Sequence, residues 1–178
     1  MILREVKNED KEEILKMYDE FINSELIPGI DRFEGIRNLG HLEELTFEEW
    51  LEELDDNKDE TKLPQNYSPQ TTYLAIENNK IVGLINIRWK AVPILLNHGG
   101  FIGYAIRPSE RGKGYGNEML KLALMLIPKN VYERVLITCK DFNIASKKVI
   151  EKNNGVFENA YYDEKNDCTY LRYWIDIK

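Results

Sequence analysis

The stretch Gly99–Gly116, GGFIGYAIRPSERGKGYG, runs from an apolar strand through a polar loop into the start of a helix. Its second half alternates glycines at Gly112, Gly114 and Gly116. Such glycines let consecutive backbone N–H groups turn toward one centre, and they let a bulky anion approach the main chain. The helix that begins near Gly116 adds the positive end of its dipole. The segment predicts a pyrophosphate cradle, with two cations at its mouth, Arg111 and Lys113.

Two other phosphate-binding loops are excluded by what the segment lacks. A P-loop requires Ser or Thr directly after its GxxxxGK sequence, whereas Gly114 follows Lys113. A dinucleotide-binding GxGxxG fingerprint requires glycine at position 117, where Asn117 stands. A glycine-rich surface turn without a ligand remains the structural alternative, although three glycines with two cations at a strand-to-helix junction exceed what a turn needs.

Composition around this stretch is that of an ordinary globular protein. The chain has 178 residues, of which 43% are hydrophobic and 31% charged, so we expect one domain over residues 1–178. The 24 Lys and Arg against 31 Asp and Glu give a net charge of −7, which disfavours nucleic acid as a partner. Two isolated cysteines, Cys139 and Cys168, signal neither a zinc site nor a disulfide framework. An N-terminus that is charged early, with no membrane-length apolar run, predicts a cytoplasmic protein.

Hydrophobic periodicity predicts a strand, two helices and three strands, followed by two strand–helix units and two final strands. A crossover helix between strands Gly99–Ile106 and Arg134–Cys139 would make these two strands parallel. The expected fold class is α/β, with a mixed, mostly antiparallel central sheet of about seven strands and about four helices on its faces. The predicted boundaries include Asn8 as a helix N-cap, weak helical periodicity over Asp31–Glu60, a loop at Pro93–His98, helices over Asn117–Ile127 and Asn143–Asn153, and a closing hairpin across Asp163–Asp167.

The segment Arg111–Gly116, RGKGYG, matches the signature of the GCN5-related N-acetyltransferase (GNAT) family. That signature begins with Gln or Arg, continues with any two residues and a Gly, and ends with any one residue and a Gly or Ala. The chain resembles this family most strongly over residues 72–157. GGFIGYAIRPSERGKGYG and LITCKDFNIAS further resemble a bacterial subgroup of undefined substrate. The resemblance implies acceptor-side helices and a loop over residues 1–70, an acetyl-CoA-binding core over 71–157 and a closing hairpin over 158–178.

The family resemblance implies acetyl-CoA as cosubstrate, an amine as acceptor and no metal. It implies that the backbone of Tyr104, Ala105 and Ile106 pairs with the pantetheine arm, and that an amide near Ile106 polarises the thioester carbonyl. It also implies that two further segments contact the cosubstrate. One is the start of a helix, with Asn143 and Ser146. The other is the backbone that binds the pyrophosphate, at Arg111, Gly112, Lys113, Gly114, Tyr115 and Gly116. Asn143 is alternatively a plain N-cap, and Ser146 an ordinary helix residue.

Ile150 departs from the family pattern, because many members carry at this place a Tyr that protonates the leaving CoA thiolate. The general acid is therefore unknown, and by residue type alone Tyr104, Tyr161 and Tyr162 are candidates. The general base that would take the proton of the amine is also not fixed by the sequence. The candidates are His98, next to Gly99, and three residues of the N-terminal region, His41, Glu43 and Glu44. Cys139 lacks an activating partner in the sequence, so a covalent acyl-enzyme is disfavoured.

The acceptor is the least determined part of the prediction. The segment from His41 to Glu60 is strongly acidic, with Lys58 as its only Lys or Arg, and it is either the solvated face of a helix or a rim that attracts a cationic acceptor. Arg88 and Trp89 are candidates for lining the acceptor pocket. The sequence thus predicts an N-acetyltransferase that acts by direct attack on a primary amine, with a non-catalytic acyl-CoA-binding or regulatory domain as the alternative. A homodimer is an open option, since dimers are frequent in the resembled family.

Overall fold

Seven β-strands form two antiparallel sheets in the computed structural model, which describes residues 1–178. The first sheet has the strand order β1-β2-β3-β4 and the second the order β5-β7-β6. The α/β class and the number of strands confirm the sequence prediction. The strands are β1 Ile2–Glu5, β2 Gln70–Glu77, β3 Lys80–Arg88, β4 Ile102–Ile106, β5 Arg134–Lys140, β6 Val156–Asp163 and β7 Cys168–Asp176.

Four helices of nine or more residues and two shorter ones flank the sheets. The long helices correspond to the four that the sequence predicts, and none of the helices has the length and apolar composition that crossing a membrane requires. No group of three or more His, Cys, Asp or Glu side chains is arranged to hold a metal ion. The helices are α1 Lys11–Asn23, α2 Arg37–Gly40, α3 Phe47–Asp56, α4 Pro93–Asn97, α5 Tyr115–Met125 and α6 Ile144–Lys152.

Two predicted helix starts are wrong by a few residues. Asn8 does not cap α1, because a 3-10 turn precedes the helix and Asp10 takes the junction, accepting hydrogen bonds from Lys7 N–H (2.8 Å) and the Arg4 guanidinium (2.6 Å). Helix α5 starts at Tyr115 and not at Asn117. The reason is Gly114, whose φ of +86° turns the chain directly into the helix.

The weak periodicity predicted over Asp31–Glu60 resolves into two separate helices, α2 and α3. Thr46 begins α3 with a capping box, in which Glu49 N–H donates to Thr46 Oγ1 (3.3 Å) and Thr46 N–H donates to the Glu49 carboxylate (2.8 Å). The segment predicted as a loop at Pro93–His98 contains the short helix α4, with Pro93 at its first position.

The predicted parallel pairing of β4 with β5 is wrong, because the two strands separate soon after they meet. Phe101 N–H donates to Leu136 O (2.7 Å), but no ladder continues from there. Gly99 and Gly100, with φ of +100° and +62°, form a turn, so that β4 starts at Ile102 and not at Gly99. The divergence leaves one edge of β4 unpaired and opens a cleft between the sheets.

Two apolar cores hold the sheets and helices together. One packs α5 and α6 against both sheets, and it includes Met119, Leu120 and Ile150. The other packs α1 and α3 against the opposite face of the first sheet, around Trp50 and Phe21. The cleft therefore opens between packed elements.

Candidate functional site

The cleft between the diverging strands has a volume of about 840 Å³. Its walls come from β4, the glycine loop, the start of α6, the loop before β4 and the segment 24–37. Of the residues predicted to bind the cosubstrate, only Lys113 does not line it. The residues brought together are His98, Tyr104, Ala105, Ile106, Arg111, Gly112, Gly114, Tyr115, Gly116, Asn143 and Ser146.

The glycine loop has the geometry of an anion cradle. Gly112 and Gly114 have φ of +79° and +86°, and a Cβ added at either would meet no atom within 4 Å. None of the five backbone N–H groups from Gly112 to Gly116 donates to a backbone carbonyl of the protein. A Cβ at Gly116 would lie 3.2 Å from Val149 Cγ2, so this glycine lets α5 pack against α6. Unpaired amides at a helix start suit a pyrophosphate.

The two predicted cations of the loop behave differently. Lys113 Nζ lies 2.8 Å from Glu110 Oε2, and Lys80 Nζ lies 2.5 Å from Glu110 Oε1, so the charge of Lys113 is paired with a carboxylate that lines the cleft. That Lys113 adds charge at the mouth stays a prediction. Arg111 has no carboxylate partner; its Nε donates to Ile106 O (3.4 Å) and its guanidinium lies 5.7 Å from the centre of the Phe21 ring. Arg111 is therefore the cation of the loop that no carboxylate neutralises.

We expect the Glu110 ion pairs to make stability fall in acid. Lys113 and then Lys80 lower the pKa of Glu110 from 4.5 to about 2, so the carboxylate stabilises the fold above pH 4.5 and this contribution is lost as the pH falls toward 2. Tm of the protein should exceed that of Glu110→Gln at pH 7, and the difference should vanish between about pH 4.5 and 2. Thermal melts over this range test it, with exposed Glu164→Gln as control. A difference that is constant with pH would contradict it.

The free edge of β4 presents backbone groups to the cleft in alternation. Arg107 N–H donates to Val82 O (2.9 Å), and Ala105 is aligned with Leu84 in the β3 ladder. Because hydrogen bonds alternate along an antiparallel strand, the N–H and C=O groups of Tyr104 and Ile106 point away from β3. The contact of Arg111 with Ile106 O agrees with this. Tyr104 and Ile106 therefore offer backbone groups to a ligand, whereas those of Ala105 are directed to β3.

Tyr104 and α6 are connected across the cleft. The Tyr104 hydroxyl lies 3.1 Å from Ser146 Oγ, and Ser146 N–H donates to Asn143 Oδ1 (3.1 Å). Asn143 is thus the N-cap of α6, and Ser146 is its capping partner. Burial raises the pKa of Tyr104 above its ordinary value, so the phenol is protonated at neutral pH.

Ile150 and Cys139, which the sequence places near the expected reaction, are both buried residues of the core. Ile150 is completely buried and packs against Gly155, so the place of the family's Tyr holds an apolar core residue. Cys139 lines the cleft but is only 4% exposed, and burial raises the pKa of its thiol to about 11. A thiol at neutral pH is a poor nucleophile, in agreement with the expectation against a covalent intermediate.

The far end of the cleft holds His98 and Arg88. The His98 ring stacks on Tyr170 with centroids 5.4 Å apart, and its Nδ1 lies 3.9 Å from Asp163 Oδ2 without a hydrogen bond. Arg88 donates from one guanidinium nitrogen to Gly99 O and Gly100 O, both at 3.1 Å. Trp89 lies outside the cleft, and its Nε1 donates to Thr71 Oγ1 (2.8 Å).

The acidic segment does not reach the cleft. No residue from His41 to Glu60 lines it, and His41 instead contacts the Glu53 carboxylate at 2.8 Å. The carboxylates of this segment contact surface lysines, as in Lys11 with Glu48 (2.7 Å). The segment is the solvated face of the fold. Tyr161 and Tyr162 do not line the cleft either.

Comparison with known proteins identifies the family. The acetyltransferase (GNAT) domain family matches residues 1–156. The chain is similar in structure to a GNAT-family acetyltransferase from Streptococcus pneumoniae (19% identity, 99% of both chains, TM-score 0.64). It is also similar to a spermidine N-acetyltransferase SpeG chimera from Vibrio cholerae and hSSAT (15% identity, 99% and 96% of the chains, TM-score 0.61).

A third similar structure is the ribosomal L7/L12 alpha-N-protein acetyltransferase RimL in complex with coenzyme A (17% identity, 98% and 93% of the chains, TM-score 0.62). No curated protein matches the chain in a sequence comparison. At these identities the structures establish the shared fold, and the family match covers most of the sequence. The chain therefore belongs to the GNAT family and is an acetyl-CoA-dependent acetyltransferase.

Proposed function

We propose that this enzyme transfers the acetyl group of acetyl-CoA to a primary amine by direct attack, without a covalent intermediate. The observation that carries the proposal is one cleft in which the unpaired amides of Gly112–Gly116 and the free edge of β4 face the same space. Bound acetyl-CoA supplies the activated acetyl group. The similar structures include acetyltransferases named for spermidine and for a protein α-amine, which supports an amine as acceptor.

In this proposal the chain binds the two ends of the cosubstrate with different groups. The amides from Gly112 to Gly116, with Arg111, hold the pyrophosphate, and backbone groups of Tyr104 and Ile106 hold the pantetheine arm. The Ile106 amide stabilises negative charge on the thioester oxygen, since a fixed donor needs little reorganisation. Ser146 adds its hydroxyl from α6, and Asn143 fixes the start of that helix. Ala105 does not bind the cosubstrate directly, but its pairing with β3 keeps β4 in position.

For the two proton transfers we propose Tyr104 and His98. Tyr104 is protonated, lines the cleft and reaches α6, so its hydroxyl can protonate the leaving thiolate in place of the family's missing Tyr. His98 is the imidazole that lines the cleft, at the opposite end from the glycine loop, and it accepts the proton of the amine.

Tyr104→Phe is expected to lower kcat about 10- to 100-fold while leaving the acetyl-CoA KM nearly unchanged. The ring keeps its packing, and only the hydroxyl is lost. Ser146→Ala is the matched control, because it removes the partner of the hydroxyl and not the proton donor. Steady-state release of CoA measures both variants. An equal loss of kcat in the two, or none in Tyr104→Phe, would contradict the assignment of the acid.

The experiment that tests the function combines binding and turnover. Acetyl-CoA at a hundredfold excess over its Kd should stabilise the protein by about 2.7 kcal/mol, or roughly 5–10 °C in Tm. CoA release on addition of amines then shows transfer. A Tm rise without release for any amine would favour a non-catalytic acyl-CoA-binding domain. No rise in Tm would remove the cradle and the proposal together.

Three finer expectations belong to this proposal. The first is a cytoplasmic location, which follows from the sequence alone. The second is a homodimer, which gel filtration with light scattering can test. The third, a cationic acceptor, depended on the acidic segment His41–Glu60, and it loses that support because the segment lies away from the cleft.

A further inference from the structure

Two arginines line the end of the cleft that lies away from the glycine loop, Arg37 at the start of α2 and Arg88 at the end of β3. The arginine ion pairs of the protein involve Arg4, Arg107 and Arg172, so neither cleft arginine has a carboxylate partner. Arg37 is exposed and Arg88 is half-buried. Because burial of a charge is unfavourable unless it is paired, the missing counterion matters most at Arg88.

Part of the Arg88 guanidinium donates hydrogen bonds within the protein, and the rest is free to bind a ligand. One terminal nitrogen donates to Gly99 O and Gly100 O, which fixes the side chain across the turn before β4. The remaining N–H groups have no partner in the protein and are not enclosed by it. Burial, and then the positive charge of Arg37, lower the pKa of Arg88 to about 10, so Arg88 is still charged at neutral pH and is repelled by Arg37.

The positions of both arginines are set by a buried polar network. Asn38 Nδ2 donates to Thr72 Oγ1 (2.7 Å), Thr72 donates to Asn86 Oδ1 (2.7 Å), and Asn86 Nδ2 donates to Asn38 Oδ1 (3.3 Å). Trp50 Nε1 donates to Asn38 O (2.6 Å). Arg37 precedes Asn38, and Arg88 follows Asn86 by two residues on the same face of β3. The network therefore fixes α2 and β3 against each other, and the two arginines extend from these elements.

The carboxylates that also line the cleft do not neutralise these arginines. Glu34 is paired with Lys140 (2.7 Å), and Glu110 is paired with Lys80 and Lys113. The Asp31 carboxylate accepts from Phe33 N–H (3.0 Å). Asp167 accepts from the hydroxyl of Tyr162 (2.6 Å), and Glu25 is exposed.

Resting on the proposed function, we propose that the acceptor is an amine that also carries an oxyanion, a carboxylate or a phosphonate, which Arg37 and Arg88 bind. Arginine presents several N–H donors in a plane, which suits two oxygens of one anionic group. The bound anion would offset the repulsion between the two guanidinium groups. A polycationic acceptor would add further positive charge next to them.

CoA release from the full chain tests this with acceptors in matched pairs. Each standard α-amino acid is compared with its α-amide, 2-aminoethylphosphonate is compared with 2-aminoethanol, and spermidine is included as a polycation. We expect the anionic member of at least one pair to have a kcat/KM ten or more times that of its neutral partner and of spermidine. The amino acid and phosphonate arms distinguish the two sources of the oxyanion.

Two variants connect the preference to the arginines. Arg37→Gln removes a side chain that makes no ion pair, and Arg88→Lys keeps a charge but loses the planar donors. Each should raise KM for the anionic acceptor about 10- to 100-fold and leave the Tm rise with acetyl-CoA unchanged. Lys129→Gln changes the net charge by as much as Arg37→Gln does, on an exposed residue outside the cleft, and its KM should be that of the unmodified protein.

The results separate this inference from the function on which it rests. Acetylation of amines without a preference for the anionic members, a preference for spermidine, or variants with unchanged KM would overturn the anionic acceptor and leave the acetyltransferase function standing. Absence of CoA release from amines of every charge would overturn both.

Discussion

Gly114→Glu is expected to abolish acetyl-CoA binding, seen as loss of the Tm rise of roughly 5–10 °C that the cosubstrate gives at a hundredfold excess over its Kd. A Cβ at Gly114 meets no protein atom within 4 Å, so the new side chain extends into the space of the cradle. There its carboxylate blocks the unpaired amides and repels the pyrophosphate. Since each charge-assisted hydrogen bond contributes about 1.5–3 kcal/mol, we expect Kd to rise more than a hundredfold.

The matched control for this variant is Gly114→Gln, which has the same size and no charge. Both substitutions place a side chain at φ of +86°, a left-handed conformation that costs about 1–2 kcal/mol, so both ligand-free proteins should melt a few degrees lower. The glutamine variant should bind acetyl-CoA measurably better than the glutamate variant. Retention of the full Tm rise in Gly114→Glu would show that the pyrophosphate is bound elsewhere.

Local sequence patterns were sufficient where a feature depends on neighbours in the chain. The glycine loop, the N-cap at Asn143 and the closing hairpin across Asp163–Asp167, where Asp167 has φ of +46°, follow from residue types at fixed spacing. The capping box of Thr46 and Glu49 was also readable, since Thr-x-x-Glu precedes α3, but the weak periodicity of that region concealed it.

Features that depend on distant residues were not predictable. The separation of β4 from β5 depends on the turn at Gly99 and Gly100, where a Cβ at Gly100 would lie 2.7 Å from Leu136 O, and no local pattern reports that approach. The pairing of the Lys113 charge depends on Glu110, three residues away, which also contacts Lys80, thirty residues from Glu110.

Arg37 is a proposed acceptor-binding residue that no sequence pattern indicated. It stands in a short helix without clear periodicity, and its place in the cleft depends on the hydrogen bonds of Asn38 to Thr72 and Asn86, 34 and 48 residues away. Arg88 was a candidate because strand ends often line pockets. That no carboxylate pairs with either arginine, although several line the cleft, is visible only in the folded protein.

The close approach of Gly35 to Gly103 predicts the second large effect. A Cβ at Gly103 would lie 2.5 Å from Gly35 O, and a Cβ at Gly35 would lie 2.6 Å from Tyr104 O. The segment that carries Gly35 therefore lies directly on the backbone of β4, two residues before Arg37. Because neither backbone can yield easily, Gly103→Ala is expected to destabilise the protein by about 1–3 kcal/mol, or roughly 2–12 °C in Tm.

Gly35→Ala should be worse than Gly103→Ala, because its φ of +85° adds about 1–2 kcal/mol of backbone strain to the same clash. Gly99→Ala separates the two effects: its φ is +100°, but its nearest neighbour, Leu95 Cδ2, lies at an ordinary 3.4 Å. Thermal melts should therefore rank Gly35→Ala below Gly99→Ala. Displacement of the segment also moves Arg37, so Gly103→Ala should raise KM for the acceptor more than KM for acetyl-CoA. Equal melting temperatures in the glycine-to-alanine variants would mean that the segment and β4 are not in contact.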